Sequence, residues 1–210
     1  MRYYPVNLDL KGKKVVVIGA GNIAYRKVLG LLEAGAVVKV VAPESHAELR
    51  ALAGKGTITI EGRGYAPGDL RGFFAAIAAT DKHDINLEIR EEATEEGVIL
   101  NIVDRPEFCD FVFPAKVVRG EFLLTISTGG ASPALARKIR EELESQFGDE
   151  YGRLVALLSD IREKIPPEKR RSYEEKFTRF VRSEVLDAIR KNDFKRIASL
   201  VKEHFGEEFL

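Results

Sequence analysis

The apolar run Val15-Val16-Val17-Ile18 leads straight into Gly19-Ala20-Gly21-Asn22-Ile23-Ala24. A β-branched strand that breaks at glycine and restarts as a helix leaves the chain few options. Gly19 permits the tight turn, and Gly21 removes a side chain where a pyrophosphate would approach. Ala24, small like a third glycine, lets the helix pack closely on its strand. Unpaired N–H groups and a positive helix end then face an anion. In this context the pattern reads as a Rossmann dinucleotide site; a glycine turn that binds nothing is the alternative.

The rhythm that follows agrees with it. Short β-branched runs at 14–18, 37–42, 57–61, 73–79 and 98–103 alternate with helical stretches at 22–34, 45–53 and 82–96. Gly35 and Gly97 stand where helices stop. Such alternation predicts an α/β fold, a doubly wound parallel sheet covered on both faces. After Pro106 the pattern changes to a hairpin, 111–118 and 121–127, around Arg119-Gly120. A helix follows from Pro133 to about Gln146, with Ser132 as N-cap and Pro133 at its first position. From Glu150 the chain is helical and charged, broken by Pro166-Pro167. The expected organisation is a nucleotide domain over 1–110, a small α+β module over 111–148 and a helical region over 149–210.

Three places carry chemistry beyond the first loop. The second strand ends Val41-Ala42-Pro43-Glu44. An acid there accepts hydrogen bonds from the adenosine ribose and repels a 2′-phosphate, which favours NAD over NADP, with Pro43 as the wall against the adenosine. Glu44 lies slightly past the usual place, and capping the next helix is its other reading. Thr80 and Asp81 follow the fourth strand and border the cofactor crevice; His83 shares that turn. Asp104 ends the fifth strand, at the carboxyl edge where open α/β sheets place ligands. A carboxylate there can take a proton, or simply shape the turn before Arg105-Pro106.

A second glycine loop, Ser127-Thr128-Gly129-Gly130-Ala131-Ser132-Pro133, resembles a phosphate or carboxylate cradle at a helix mouth. Between Arg105 and Arg140 stand six basic residues against three acidic ones. An acidic ligand suits that segment, and a solvated basic helix face is the plain alternative.

Composition excludes more than it assigns. Thirty-three basic residues balance thirty-three acidic ones, which argues against a general nucleic-acid binder. No apolar run approaches the roughly 18–20 residues of a membrane span, and Asp9, Lys11, Lys13 and Lys14 interrupt any signal-peptide core. The single cysteine, Cys109, rules out an internal disulfide and suits a reducing cytoplasm; it reads as a buried small residue. Three scattered histidines give no metal-ligand spacing, and His46 and His204 read as solvated. Glu91, Glu92, Glu95 and Glu96 read as a wet helix face. Phe177, Phe180 and Phe194 read as helical core.

Taken together, VVVIGAGNIAYRK (15–27), NIVD (101–104), Phe113-Pro114 and STGGASPALAR (127–137) resemble the siroheme-synthase family, and within it the stand-alone precorrin-2 dehydrogenases. The resemblance covers roughly the first 145 residues. It implies a homodimer with interlocked middle modules and an active site between nucleotide domain and shared module. It implies NAD as cofactor and the tetrapyrrole precorrin-2 as substrate, oxidised to sirohydrochlorin, with Fe²⁺ insertion as a further activity of some members. Carried across, Gly19, Gly21, Asn22, Ile23, Ala24, Pro43 and Glu44 line NAD, and Asp104 is the general base. Asn101, Lys116, Ser127, Thr128, Gly129, Ser132 and Arg137 meet the polycarboxylate substrate. Ser-Thr-Gly-Gly replaces the Ser-Ser-Gly-Gly of many relatives, which keeps the hydroxyl. A non-catalytic NAD-sensing module is the rival reading; it has no reason to carry NIVD or STGGASP.

Overall fold

The computed structural model describes residues 2–210 and divides into two compact units, Met1–Phe113 and Pro114–Leu210. In the first, β1 (Lys14–Ile18), β2 (Val37–Val41), β3 (Thr59–Glu61), β4 (Ala75–Ala78) and β5 (Ile99–Ile102) form one sheet. Its order is β3-β2-β1-β4-β5, and every pairing is parallel. Helices α1 (Asn22–Glu33), α2 (Ala47–Gly54) and α3 (His83–Glu96) make the crossovers.

The near-continuous apolar strands follow from burial on both faces. Val15 and Val17 pack with Ala24, Val28 and Leu31 of α1 and Leu49 of α2. Val16 and Ile18 face the other way, onto Ile89 and Ala93 of α3. One strand thus feeds two cores, and the doubly wound arrangement expected from the sequence is the one observed. Chain order reverses between β1 and β4, which makes their carboxyl ends the topological switch point. β1 fills its apolar run, and β2 to β5 are one to three residues shorter than the runs that announce them.

The segment joining β3 to β4 is held by buried charge. Arg63 forks onto Asp69 at 2.7 and 2.6 Å and also reaches Glu61. Burial opposes the Asp69 charge, but the Arg63 fork and the Ala66 N–H prevail and keep its carboxyl below the usual range. Glu92 corrects the wet-face reading of α3. It is buried, accepts from the N–H groups of Gly68 (3.0 Å) and Leu70 (2.8 Å), and takes the Tyr65 hydroxyl. Glu91, Glu95 and Glu96 stay exposed.

In the second unit β6 (Ala115–Arg119) and β7 (Phe122–Ile126) form an antiparallel hairpin. Helices α4 (Pro133–Gln146), α5 (Asp149–Glu163), α6 (Glu174–Val181), α7 (Val185–Arg190) and α8 (Phe194–His204) follow. A Cβ at Gly152 would stand 2.5 Å from the Arg119 carbonyl oxygen, so glycine lets α5 cross the hairpin. Phe122, Phe147 and Tyr151 cluster there, with ring centroids 4.8–5.7 Å apart. A separate core gathers Leu154, Ile161, Phe180, Val185, Leu200 and Phe205. Phe194 does not join it: it begins α8 and is 74% exposed. His46 and His204 are half-buried, contrary to the solvated reading: His46 stacks on Tyr25, and His204 meets the Phe180 ring edge-on. Among the described residues no helix is long and apolar enough to cross a membrane.

Glu92→Ala leaves two backbone donors and a phenol unpartnered beneath α3. A loss of about 3 kcal/mol is expected, measured by urea unfolding, with Glu91→Ala as the near-neutral control.

Candidate dinucleotide site and the Asp104 rim

At the switch point β1 ends in a turn that only glycine can make. Gly19 has φ +104°, and a Cβ on it would lie 2.3 Å from the Ala79 carbonyl oxygen at the end of β4. Its N–H donates to Val41 O at 2.9 Å. Gly21 then caps α1 without a side-chain bond, and a Cβ there would meet nothing within 4 Å. The first intrahelical donor is past Ala24: Tyr25 N–H bonds Gly21 O at 3.0 Å, so the N–H groups of Asn22, Ile23 and Ala24 have no protein acceptor among the described residues. Open space at Gly21, three free donors and a helix end fit a pyrophosphate. Asn22 and Ile23 are exposed at this mouth, whereas Ala24 is fully buried against the sheet, which is its packing role.

Pro43 and Glu44 are exposed at the carboxyl end of β2. Glu44 does not cap α2: the cap is His46, whose Nδ1 accepts from Glu48 N–H at 3.3 Å. Across the crevice, Thr80 Oγ1 accepts from Lys82 N–H (3.2 Å), and Asp81 is exposed. Asn86 donates from Nδ2 to the Thr80 carbonyl at 3.2 Å, which fixes this loop; its buried Oδ1 has no partner among the described residues. Sequence reasoning passed over Asn86, since one amide in a polar helix gives no signal.

Asp104 follows β5 in the left-handed conformation, φ +61°, rare for a residue with a side chain. Its carboxylate is exposed and makes no hydrogen bond or ion pair among the described residues. Beneath it the backbone is stitched tightly. The Cys109 thiol donates toward the carbonyls of Ile102 and Arg105, both 3.2 Å away, and its sulfur accepts from Ile102 N–H at 3.1 Å. Burial pushes that thiol's pKa up, so it serves as a structural staple. Asn101 is buried, and its Nδ2 donates to the Phe111 carbonyl at 2.9 Å; the amide donor is spent on holding the loop. Arg105 reaches back to His83 Nδ1 at 3.2 Å and so ties the β5 rim to the β4 rim.

The second unit carries the other glycine loop. Thr128 Oγ1 bonds both N–H and C=O of Ser132, each at 3.1 Å, and Ser127 Oγ accepts from Gly129 N–H at 3.2 Å. Ser132 Oγ caps α4 by accepting from Leu135 N–H. Thr128 therefore builds the loop. The N–H groups of Gly130 and Ala134 and the hydroxyl protons of Ser127 and Ser132 have no acceptor among the described residues. Arg137 is exposed and paired with Glu141 at 2.9 Å, and Lys116 is exposed on β6 opposite Thr125.

Comparison with known proteins agrees with this geometry. A family model described as putative NAD(P)-binding matches residues 6–115, just over half of the chain. The chain belongs to that NAD(P)-binding family. A second model, the sirohaem biosynthesis protein central region, matches residues 124–146, which include the second glycine loop. Siroheme synthases of Nitrosococcus oceani and Azotobacter vinelandii are 40% and 43% identical over 165 residues, 79% of this chain. That of Methylococcus capsulatus is 36% identical over 202 residues, 94% of this chain. The resemblance to the siroheme-synthase family is thereby shown. The chain spans only 35–43% of the length of these relatives. Among solved structures, "SirC, precorrin-2 dehydrogenase" superposes with a TM-score of 0.79 at 27% identity, covering 96% of this chain and 98% of that one.

Two substitutions separate the parts played by the glycines. Gly21→Val projects into open space, so NAD⁺ affinity falls at least about tenfold, ~1.4 kcal/mol, with little change in Tm. Gly19→Ala collides with the end of β4, so Tm itself falls. Isothermal titration and thermal melts read the two effects.

Proposed function

We propose that this chain is an NAD-dependent precorrin-2 dehydrogenase that forms sirohydrochlorin, with Asp104 as its general base. The observation that carries the reading is the unspent Asp104 carboxylate, held in a left-handed turn on the same sheet edge as the open cradle of Gly19 and Gly21. Bound NAD⁺ supplies the hydride acceptor. The N–H groups of Asn22, Ile23 and Ala24 hold the pyrophosphate, and Pro43 and Glu44 receive the adenosine ribose. Thr80 and Asp81 border the nicotinamide end. Asp104 accepts the proton that leaves the substrate as the hydride departs, and then releases it to solvent. Ser127, Gly130 and Ser132 offer donors to substrate carboxylates and Gly129 leaves space for their approach, with Lys116 and Arg137 adding charge. Thr128 supports these contacts by shaping the loop, and Asn101 by holding the rim.

The names of the similar proteins support this reading: siroheme synthases, and a precorrin-2 dehydrogenase that matches along nearly its whole length. The same carboxylate suits a second step, in which Fe²⁺ replaces two pyrrole protons of sirohydrochlorin. Anaerobic incubation with Fe²⁺, against a blank without protein, decides that activity. A reducing cytoplasm suits the single thiol.

A homodimer is part of the proposal. Val118 and Leu123 stand directly opposite one another in the β6–β7 register and are 42% and 40% exposed. A two-stranded sheet with an apolar pair on its open face is marginal without a cover, and a second hairpin provides one. Leu123→Glu is expected to shift the mass seen by light scattering from dimer to monomer.

The dehydrogenase reading is tested by following NADH formation from precorrin-2. Asp104→Asn is expected to lower kcat by about 10²–10⁴ with NAD⁺ affinity unchanged. An Asn variant of full activity would remove Asp104 from the mechanism.

A further inference from the structure

Lys27 stands in α1, one turn past the three free N–H groups of the cradle, and is half-buried. Its Nζ lies 3.7 Å from the centroid of the Phe113 ring. That ring is itself held in place. Phe111 meets it edge-on with 5.4 Å between centroids, and the Phe111 carbonyl accepts from Asn101 of β5 at 2.9 Å. The seat of the ammonium therefore belongs to the loop that follows Asp104, and not to the end of β2 where Pro43 and Glu44 stand.

The protein offers this charge no acceptor. An ammonium carries three N–H donors, yet Lys27 makes no hydrogen bond and no ion pair among the described residues. Lys39, also half-buried, is by contrast paired with Glu61. An aromatic face attracts a cation but returns only part of the hydration that burial removes. Burial accordingly lowers the Lys27 pKa. Phe113 is 41% exposed, so the seat is open to a ligand. A carboxylate arriving there gains a charge-assisted hydrogen bond that solvent screens less than one on the open surface.

Two oxyanions are within the chemistry of the crevice, the cofactor pyrophosphate and a substrate carboxylate. The pyrophosphate is already provided for by the N–H groups of Asn22, Ile23 and Ala24, and the Phe113 seat draws Lys27 to a different loop. We infer that Lys27, seated on the Phe113 ring, is a subsite for one carboxylate of the substrate and helps to set how the ring lies in the crevice. Naming the macrocycle rests on the dehydrogenase reading; the open cation on its aromatic seat does not.

Uroporphyrin, a flat octacarboxylate ring that gives no turnover, is the probe. Its affinity for the full chain is read by fluorescence titration at fixed salt, and that of NAD⁺ by calorimetry. Lys27→Met keeps an apolar stem on the ring and is expected to weaken uroporphyrin about tenfold, with NAD⁺ affinity unchanged and no fall in Tm. Lys27→Arg recovers most of the affinity. Lys176→Met is the control, since it removes the same charge from another aromatic seat, 4.4 Å from the Tyr173 centroid; it is expected to change nothing. Unaltered uroporphyrin binding in Lys27→Met overturns the inference, as does an equal loss in Lys176→Met or a loss confined to NAD⁺. A wild-type chain that ignores uroporphyrin overturns both the subsite and the substrate reading. If precorrin-2 yields no NADH while Lys27→Met still weakens the ring tenfold, the subsite stands and the reaction assignment falls.

Discussion

The approach of Gly19 to the end of β4 sets the rest of the first unit. A carbonyl oxygen occupies the place where any side chain would begin, so β1 and β4 meet without a spacer at the point where the sheet reverses direction. With β1 seated there, α1 starts immediately above the crevice and its first three N–H groups remain unused. Val15 to Ile18 supply both cores from the same four residues. The anion cradle is thus a by-product of dense packing below it, with no polar side chain required to build it.

The Asp104 rim follows another logic. Its rare backbone conformation is held from beneath by a buried thiol and a buried amide, with Asp110 adding a bond from Leu100 N–H at 2.9 Å and an ion pair to Arg90 at 2.8 Å. A strained residue persists only where its surroundings over-determine it. Here four neighbouring side chains do so, and the carboxylate above them is left without obligations. Rigidity and availability are divided between different residues of one short stretch.

Much of this was legible in the chain. The doubly wound parallel sheet and both glycine loops follow from residue spacing, because β-branched runs and glycine turns act locally. The Ser132 cap and Pro133 start of α4 were legible for the same reason. What escaped depended on distant partners. Glu92 looks like its three acidic neighbours until Gly68 and Leu70, more than twenty residues earlier, offer their N–H groups. Asn101 reads as a substrate contact, and its bond to the Phe111 carbonyl ten residues on gives no sign in the sequence. Phe194 reads as core by type but opens the first turn of α8 exposed to solvent. Thr128 reads as a substrate-side hydroxyl, and its bonds to the Ser132 backbone, which close the loop, give no sign in the sequence.

The Arg63 fork bears on which dinucleotide the crevice admits. β3 lies beside β2, with Val41 opposite Glu61, so Arg63 belongs to the same carboxyl edge as Glu44. Both terminal nitrogens of its guanidinium are already held by Asp69, with Glu61 on one of them. A phosphorylated ribose arriving at this edge would find an acid and an arginine engaged elsewhere, whereas a bare hydroxyl needs only the acid. Under the proposed NAD reading, discrimination would come from occupying the basic residue, not from leaving it out.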